Sequence, residues 1–487
     1  MSELRHIILD NGAGRIKYGP PSLESNLGGE ADTAAQSNRI SQNTRNSMPN
    51  CVARMNKQMQ VLVGDEVDGV ANGSLLTYTR PFERGYMTNV HCQIEVWSRL
   101  FNKILNVSAP AQTSLLLTEA PFCPESMQND MNEVLFEDFG FGECLRRPAA
   151  WFSAYEFAAT NAAAPSSSSS SSFVPSALQD PRSCIVVDSG FSFSHVFPFV
   201  QGKCVKKAVK RVNVGGKLLT NYLKELVSYR QWNMMEEFPL VDQVKEDLCY
   251  VSENFQADLQ AAHASAQRVG LVAKEHNNTA FCCDRPKRYK ASGPQASAAT
   301  LTVESSVDDR IAARLDPLGL PLKRGFVMPD YSSIMRGYVR PLDEASHPGQ
   351  QELMMETERF TVPEVLFYPS DVGMEQGGIG DALCESIASM NVIDAGLAAA
   401  NIVLTGGNCK FPQFASRLYA ECRPAVPDMY DISTFLPPHP DYYAWQGASR
   451  FVEQEKRAGT LSAAFVTRAE YLERGHMYVN EKFWKGW

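Results

Sequence analysis

The sequence predicts an α/β fold built from two similar lobes, and three observations carry that prediction. Predicted strands alternate with predicted helices along most of the 487 residues, which is typical of mixed sheets covered by helices. A β-branched, apolar run followed by Asp-x-Gly occurs twice: in IILDNG, which contains Asp10, and in IVVDSG, which contains Asp188. The chain is also too long for one ordinary hydrophobic core, so a duplicated architecture accounts for all three.

Composition restricts the class of protein. The chain is 44% hydrophobic and 21% charged, as in soluble globular proteins. Its formal charge of -9 argues against a protein that coats DNA non-specifically, although a local basic patch is compatible with it. The 12 cysteines form no CxxC pair, and no apolar leader or membrane-length run is present. We therefore expect free thiols in a reducing compartment, the cytoplasm or the nucleus.

The first half of the chain gives a clear order of elements. A β-rich strand at residues 6–9 is followed at once by the turn signal DNGAG. A polar stretch at 20–48 predicts loops, and QVLVGDEV predicts a short strand. Apolar residues at helical spacing predict a helix over 90–105. SLLLTEAPF predicts a strand, and the apolar composition of 148–159 predicts a buried helix.

The second half begins after a run of seven serines, 166–172, which predicts a flexible insertion. CIVVDSG then predicts a strand and GGKLLTNYLKELVSYR an amphipathic helix. From 256 to 348 the pattern weakens into long loops with one ordered island, MPDYSSIMRGYVR. GIGDALCESIASM and NIVLTGGNCKFP predict a helix, a strand and a Gly-Gly turn, and a C-terminal helix closes the chain.

The repeated Asp-x-Gly turn suggests phosphate binding. Such a turn is tight enough for backbone N–H groups to face a phosphate. The carboxylates of Asp10 and Asp188 would repel that phosphate unless a divalent cation lies between them, usually through water, as hydrated Mg²⁺ prefers. Lys17 adds a compensating positive charge. The alternative is that both are ordinary Asp-Gly turns, since these are common, and neither copy is a GxxxxGK[ST] loop.

A third element places two glycines directly after a strand. Gly406 and Gly407 in NIVLTGGNCKFP would let a flat ligand, such as an adenine ring, approach the backbone. The alternative is a turn that merely begins a helix.

Several segments, in order along the chain, resemble the actin superfamily. They are DNGAGRIKYG, PNCVAR, VGDEV, LTEAPFCPE, PAAWFSAYEFAAT, IVVDSGFSFSH, VKEDLCYV, VPEVLFYPS, VLTGGNCKFP and YAWQGAS. The resemblance implies an actin-like two-lobed ATPase fold, a duplicated β-sheet/helix domain with four subdomains, here carrying loop insertions. It also implies ATP with Mg²⁺ bound between the lobes.

The same resemblance implies a domain organisation. The first lobe would span 1–160, with a smaller subdomain at about 32–79 and a main one at 80–160. A Ser-rich flexible insertion would follow at 161–182. The second lobe would span 183–441, with a smaller subdomain at about 215–362 that carries an insertion at about 256–325. Helices at 442–487 would return to the first lobe.

Site residues follow from the matching motifs. Asp10 and Asp188 would hold Mg²⁺ through water, and no catalytic residue is assigned. The resemblance implies that the following residues bind the nucleotide: Asp10, Gly12, Ala13, Gly14, Lys17, Asp188, Ser189, Gly190, Lys245, Glu246, Gly406 and Gly407.

Departures from the family pattern point away from hydrolysis. Ala13 replaces a Ser whose hydroxyl bonds the γ-phosphate, and Tyr155 is matched to the Gln that positions the attacking water. Phe191 replaces an Asp of the water and ion network, while His195 matches the water-activating His. Asp441 takes the position of a Lys beside the adenine. Because hydrolysis needs a positioned nucleophile, we expect ATP to be bound but turned over very slowly or not at all.

Three further segments, SYRQWNMMEEF, MPDYSSIMRGYVR and AVKRVNVGG, resemble the nuclear actin-related protein six subfamily. The resemblance implies a subunit of SWR-type chromatin remodellers, which exchange nucleosomal histone two-A for its variant. The implied partners are a separate motor ATPase, a small zinc-finger subunit and the nucleosome with its histones, with DNA reached through the complex. The implied location is the nucleus, and also the cytoplasm, with no membrane association and no filament.

Other readings remain open at this level. A basic run, Lys203, Lys206, Lys207, Lys210 and Arg211, would touch DNA phosphates or form a solvated hairpin face. RPKRYK at 285–290 would be a nuclear import signal or an ordinary loop. Phe483, Trp484 and Trp487 would anchor a partner or pack in the core.

Two other functions also compete. One is a slow ATPase or a sugar-kinase-like phosphotransferase. The other is a cytoskeletal filament protein, which insertions disfavour because filaments need matching surfaces on opposite ends of each subunit.

Overall fold

The structure is a computed structural model, which describes residues 4–21, 46–55, 60–162, 180–268, 316, 319–344 and 349–484. These residues form twenty strands: β1 Arg5–Asn11, β2 Arg15–Gly19, β3 Ser47–Pro49, β4 Val52–Met55, β5 Val61–Val63, β6 Leu76–Thr79, β7 Phe82–Glu83, β8 Tyr86–Met87, β9 Thr113–Glu119, β10 Glu143–Pro148, β11 Cys184–Ser189, β12 Ser194–Val200, β13 Lys203–Cys204, β14 Lys210–Val212, β15 Arg324–Val327, β16 Tyr338–Val339, β17 Glu352–Met355, β18 Ile402–Thr405, β19 Thr434–Phe435 and β20 Val466–Thr467. They also form fourteen α-helices: α1 Asp65–Asp68, α2 Val90–Arg99, α3 Glu125–Glu133, α4 Ala149–Ala162, α5 Gly216–Arg230, α6 Phe238–Leu248, α7 Phe255–Arg268, α8 Glu358–Glu364, α9 Ile379–Ala388, α10 Val392–Ala399, α11 Phe414–Cys422, α12 Tyr443–Ala458, α13 Leu461–Ala464 and α14 Arg468–Trp484.

The first large sheet has the strand order β20-β10-β9-β1-β2-β3. Its centre is the hairpin β1–β2, in which Asp10 lies opposite Lys17, flanked by the parallel strands β9 and β10. The apolar run of β1, which lies next to the parallel pair β9–β10 at the centre of this mixed sheet, is buried. The carboxyl end of β1, with its aspartate, therefore projects from the edge of this sheet.

The second large sheet repeats this arrangement with the order β13-β12-β11-β18-β19, and β14 pairs with β12. Asp188 in β11 lies opposite His195 in the antiparallel β12, and β18 runs parallel to β11 on the other side. In both hairpins the residue seven positions after the aspartate is its cross-strand partner. The predicted duplication and the two-lobed α/β fold are confirmed.

Each large sheet has its own hydrophobic core. The first core includes β1, β9 and α2, and residues from the C-terminal end of the chain, such as Val466 and Phe483, complete it. The second core joins β11 and β18 to α5, α6 and α9. Two small sheets, β5-β4-β6 and β16-β15-β17, belong to separate parts of the fold. The subdomain limits given above stay predictions.

Helices α4 and α12 form the junction between the lobes. Ala150, Ala154 and Phe157 of α4 pack with Val186 and Phe197 of the second sheet. On its other side α4 crosses α12 so closely that a Cβ at residue 447, which is glycine, would lie 2.0 Å from the carbonyl oxygen of residue 152. Glycine is thus required for this crossing.

An ion pair fastens the same junction. Arg450 of α12 donates from Nε and Nη2 to the two carboxylate oxygens of Glu156, at 2.6 and 2.8 Å. A bidentate pair of this kind fixes orientation as well as distance.

Some local expectations differ from the structure. Helix α7 lies at the start of the stretch expected to be loops, because its Ala- and Gln-rich sequence favours a helix without a strong apolar stripe. Helix α2 ends at Arg99 and continues as a π-helical turn at Leu100–Ile104. The helix predicted from 148 begins at Ala149, because Pro148 still belongs to β10.

Several expectations fall outside the described residues: the serine run 166–172, the basic cluster 285–290 and Trp487. The ten cysteines within the described parts are free thiols. Over the same parts, every helix is too short or too polar to cross a membrane.

Candidate functional site

A cleft of about 1220 Å³ separates the two large sheets. Its walls contain all of the predicted nucleotide-binding residues except Ser189. The carboxyl ends of β1, β11 and β18 therefore open into one cavity, as ligand sites in α/β sheets commonly do.

The first hairpin holds Asp10 in a fixed position. Its Oδ2 accepts a hydrogen bond from Lys17 Nζ at 3.0 Å, and its Oδ1 accepts one from Thr118 Oγ1 at 2.7 Å. Thr118 Oγ1 in turn accepts from the backbone N–H of Asn11 at 2.9 Å. Burial opposes the charge on Lys17, but Asp10 outweighs it and the pKa of Lys17 is raised. Lys17 therefore stays cationic inside the cleft.

Asn50 supports the loop after β1, a role that the sequence analysis did not predict. Its side-chain Nδ2 donates to the carbonyl oxygen of Gly12 at 3.1 Å, and its backbone N–H donates to that of Gly14 at 3.0 Å. The Asn50 amide is itself fixed by an exchange of hydrogen bonds with the buried Gln93 at 3.3 Å. The loop is thus preorganised by residues distant in sequence.

The second hairpin brings Asp188 towards Asp10. Burial, and then repulsion by the Asp10 carboxylate, raise the pKa of Asp188 to about 6, while Lys17 acts in the opposite direction. Two carboxylates from opposite lobes thus share one lysine, and their mutual repulsion disfavours the doubly charged state. A cation between them would remove that cost.

These residues fit a hydrated Mg²⁺ ion. Asp10 and Asp188 provide two hard oxygen donors, and among the described residues no group of three or more His, Cys, Asp or Glu side chains is placed to hold a metal ion. Mg²⁺ usually keeps several waters and takes one or two carboxylates together with phosphate oxygens. Such an ion would neutralise phosphate charge at this point.

Ser189 is buried beneath the loop instead of lining the cleft. Its Oγ lies 2.7 Å from Ser194 Oγ and accepts a hydrogen bond from Asn408 Nδ2 at 3.0 Å. Asn408 also donates to the carbonyl oxygen of Gly190 at 2.8 Å, which ties the third element to the second loop. The side chain of Ser189 thus has a structural role here.

The two glycines of the third element differ in their surroundings. Gly406 has φ +93°, and a Cβ there would lie 2.1 Å from the Ser189 carbonyl oxygen. At Gly407 an added Cβ would meet nothing within 4 Å. Gly406 is therefore required by packing, whereas Gly407 leaves an open surface next to which a flat group fits.

Lys245 and Glu246 lie on the opposite wall. The Lys245 Nζ donates to Thr220 Oγ1 at 2.9 Å and to Asp242 Oδ1 at 2.5 Å, with the Gly216 carbonyl oxygen at 3.4 Å. All three ammonium protons are thus directed at protein acceptors, so Lys245 contributes its stem and its charge to the wall. Glu246 is exposed to the cleft.

The structure places Tyr155 against α12 and outside the cleft lining. Its hydroxyl donates to Gln454 Oε1 of α12 at 2.6 Å, and its ring stacks on Trp151 at 5.6 Å. The residues of α4 that line the cleft are Ala149, Ala150 and Ser153. Tyr155 lies two positions after Ser153, on nearly the opposite side of the helix, and faces α12.

His195 is also placed outside the cleft lining. It is 3% exposed and packs against Phe193 at 4.3 Å and Phe197 at 5.2 Å between ring centroids. Burial, and then the charge of Arg211, lower the pKa of His195 to about 3. The imidazole is therefore neutral at physiological pH.

Two other departures do lie in the cleft. Phe191 lines it beside Gly14, and Asp441 accepts a hydrogen bond from Lys410 Nζ at 2.7 Å. The Asp441 carboxylate is thus neutralised by a lysine from the Gly-Gly element.

Known proteins share this architecture. The profile of the family described as Actin matches residues 1–484. The chain belongs to the actin family. Proteins named "Actin-related protein 6" are similar to it: that of Arabidopsis thaliana is 32% identical over 486 residues, covering 98% of this chain and 99% of its own. That of Drosophila melanogaster is 29% identical over 479 residues, which cover 98% of this chain and 99% of the relative. "Actin-like protein arp6" of Aspergillus fumigatus is 30% identical over 508 residues, which cover 98% of this chain and 94% of the relative.

The basic run of this actin-family chain is partly engaged in internal contacts. Lys210 pairs with Glu385 at 3.3 Å, and Arg211 donates to the carbonyl oxygen of Arg84 at 2.8 Å. Lys206 Nζ lies 3.5 Å from the carbonyl oxygen of Trp484. These contacts favour a hairpin face over a surface dedicated to DNA.

Phe483 is 1% exposed within the first core, beneath the guanidinium of Arg146. For Phe483, this packing favours a role in the core over a role as a partner anchor.

Proposed function

We propose that this actin-related protein is a non-catalytic subunit of a nuclear SWR-type chromatin-remodelling complex. In this role it binds an adenine nucleotide with Mg²⁺ as a structural ligand, ATP being the form that the family resemblance implies. The observation that carries the nucleotide part is the meeting of Asp10 and Asp188, from opposite lobes, beside the cation Lys17.

The ligand would act as a bridge between the lobes. Asp10 and Lys17 belong to the first sheet, while Asp188 and Gly407 belong to the second. A ligand that binds only the folded protein raises its free energy of unfolding. At concentrations above Kd, this increase grows with the logarithm of the ratio of the ligand concentration to Kd. Nucleotide would therefore set the stability of the subunit without any turnover.

Three features support the absence of hydrolysis. The cleft end of α4 offers Ala149 and Ala150, which cannot orient a water molecule, and Ser153, whose hydroxyl donates to the Ala149 carbonyl oxygen at 3.3 Å. His195 is neutral and buried among phenylalanines. Ala13 has no hydroxyl, and Phe191 adds an apolar ring to the phosphate end.

The experiment for the ligand is extraction of the purified full-length chain followed by chromatography of the released nucleotide. We expect adenine nucleotide near one equivalent and phosphate release at the rate of a protein-free blank. A kcat on the order of 10 per second, as in ordinary enzymes, would contradict the non-catalytic assignment.

The assignment to a nuclear complex rests on the similarity to proteins named actin-related protein 6. We propose a motor ATPase, a small zinc-finger subunit and the nucleosome as partners, and histone exchange in transcription regulation as the process. Affinity purification from nuclear and cytoplasmic extracts, with identification of the copurifying chains, tests this. Sedimentable filaments without remodeller subunits would favour the cytoskeletal alternative.

A further inference from the structure

We infer that the cleft holds a nucleoside diphosphate in preference to a triphosphate, because the side chain of Phe191 occupies the position where the third phosphate would lie. This inference rests on the proposed nucleotide-binding function. It assigns Phe191 a role in ligand specificity.

Phe191 crosses from the second loop onto the first. A Cβ added at Gly14 would lie 3.0 Å from the Cγ and Cδ2 atoms of the Phe191 ring and 3.2 Å from its Cβ. The ring therefore covers the end of the loop that follows β1. Gly14 is the position that allows this approach, since any larger residue would displace the ring.

The ring is held there by its neighbours. The guanidinium carbon of Arg80 lies 4.8 Å from the centroid of Phe191 and 5.6 Å from that of Phe238, over both ring faces. The two rings meet edge to face at 6.3 Å. Cation–π and edge-to-face contacts of this kind resist rotation of the ring out of the cleft.

The backbone of Phe191 is equally fixed. Its carbonyl oxygen accepts a hydrogen bond from the N–H of Lys217 at 2.8 Å. A Cβ at Gly215 would come within 2.6 Å of the same oxygen, so α5 begins in direct contact with the loop. Room for a third phosphate must therefore come from the side chain of Phe191 alone.

The electrostatics of the cleft agree with this placement. Lys17 and an ion held by Asp10 and Asp188 would meet the phosphates at the level of the carboxylates. Beyond them a third phosphate would meet the ring of Phe191, which lies on Gly14 and offers no hydrogen bond. Placing a phosphate against an apolar ring is costly, whereas a diphosphate ends before the ring.

The test is isothermal titration of the nucleotide-free full-length protein with ADP and with ATP, each with Mg²⁺. We expect the wild-type chain to bind ADP more tightly by on the order of tenfold, and Phe191→Ala to bring the two affinities to within about twofold by strengthening ATP binding. Phe191→Leu, which keeps an apolar side chain of smaller size, should give an intermediate ratio. Tyr155→Phe, outside the cleft, is the matched control and should keep the wild-type ratio.

The outcomes separate the two proposals. ATP binding as tight as ADP binding in the wild-type chain, or an unchanged ratio in both Phe191 variants with normal melting temperatures, would overturn the inference and leave the proposed nucleotide site in place. Binding of neither nucleotide would overturn the proposed site itself.

Discussion

Replacing Asp188 by Asn should make the nucleotide-free protein more stable, although it removes a residue of the site. Burial and the Asp10 carboxylate raise the pKa of Asp188 to about 6, from an ordinary value of 3.8. A shift of about 2 pKa units corresponds to about 3 kcal/mol of penalty on the charged form at neutral pH. Asn keeps the size of the side chain and removes the charge, so the free energy of unfolding should rise by up to about 3 kcal/mol.

The sign of the pH dependence follows from the same shift. The folded protein holds this proton to a higher pH than the unfolded chain, so stability is lost as pH rises from about 4 to about 6. The advantage of Asp188→Asn should therefore be full at pH 7.5, about half as large at pH 5 and absent below pH 4. Urea unfolding in EDTA without nucleotide, followed by circular dichroism across this range, measures it.

Asp10→Asn is the matched comparison, because the Asp10 carboxylate accepts hydrogen bonds from Lys17 and Thr118. Its loss removes the carboxylate that is hydrogen-bonded to the Lys17 ammonium, so this variant should be destabilised by about 1–3 kcal/mol. Mg²⁺-nucleotide should stabilise the wild-type chain and neither variant. Destabilisation by Asp188→Asn at pH 7.5, or equal effects of the two substitutions, would refute the argument that the two carboxylates repel each other across the cleft.

Four further substitutions test the geometry around the cleft. Gly406→Ala forces a Cβ against a carbonyl oxygen at positive φ and should lower the melting temperature, whereas Gly407→Ala, with open space around it, should not; equal melting curves would contradict this. Gly447→Ala should separate α4 from α12, cost about 3 kcal/mol or more in urea unfolding and increase cleavage by added protease; a loss under 1 kcal/mol would speak against the close crossing. Phe193→Ala removes a ring packed on Gly85 of the first lobe, so small-angle scattering should record a larger radius of gyration, and an unchanged radius would exclude Phe193 as a contact that closes the cleft.

The sequence predicted the two hairpins because they are local structures. A β-branched run followed by Asp-x-Gly determines a strand and its turn within a dozen residues, so Asp10, Lys17 and Asp188 were identified without any tertiary information. The order of the motifs then gave the fold, since each matches a strand or helix of one known architecture.

The partners of these residues required the tertiary structure. Thr118, Asn50 and Asn408 reach the loops from 38 or more positions away along the chain, and a lone Asn or Thr carries no signal that it will do so. The direction of Tyr155 likewise required the tertiary structure, because Tyr155 lies two positions after the cleft-lining Ser153 and thus on nearly the opposite side of α4, where α12 packs.

The sequence by itself thus determined what is offered to a ligand: two aspartates, one lysine and glycine-rich turns at the ends of buried strands. Only the tertiary structure decided that the two aspartates face each other, that burial raises the pKa of one of them, and that Phe191 lies on Gly14. The physical reason is that strand and turn formation depend on neighbours in the chain. Electrostatic repulsion, burial and ring packing depend on groups that the fold brings together from opposite lobes.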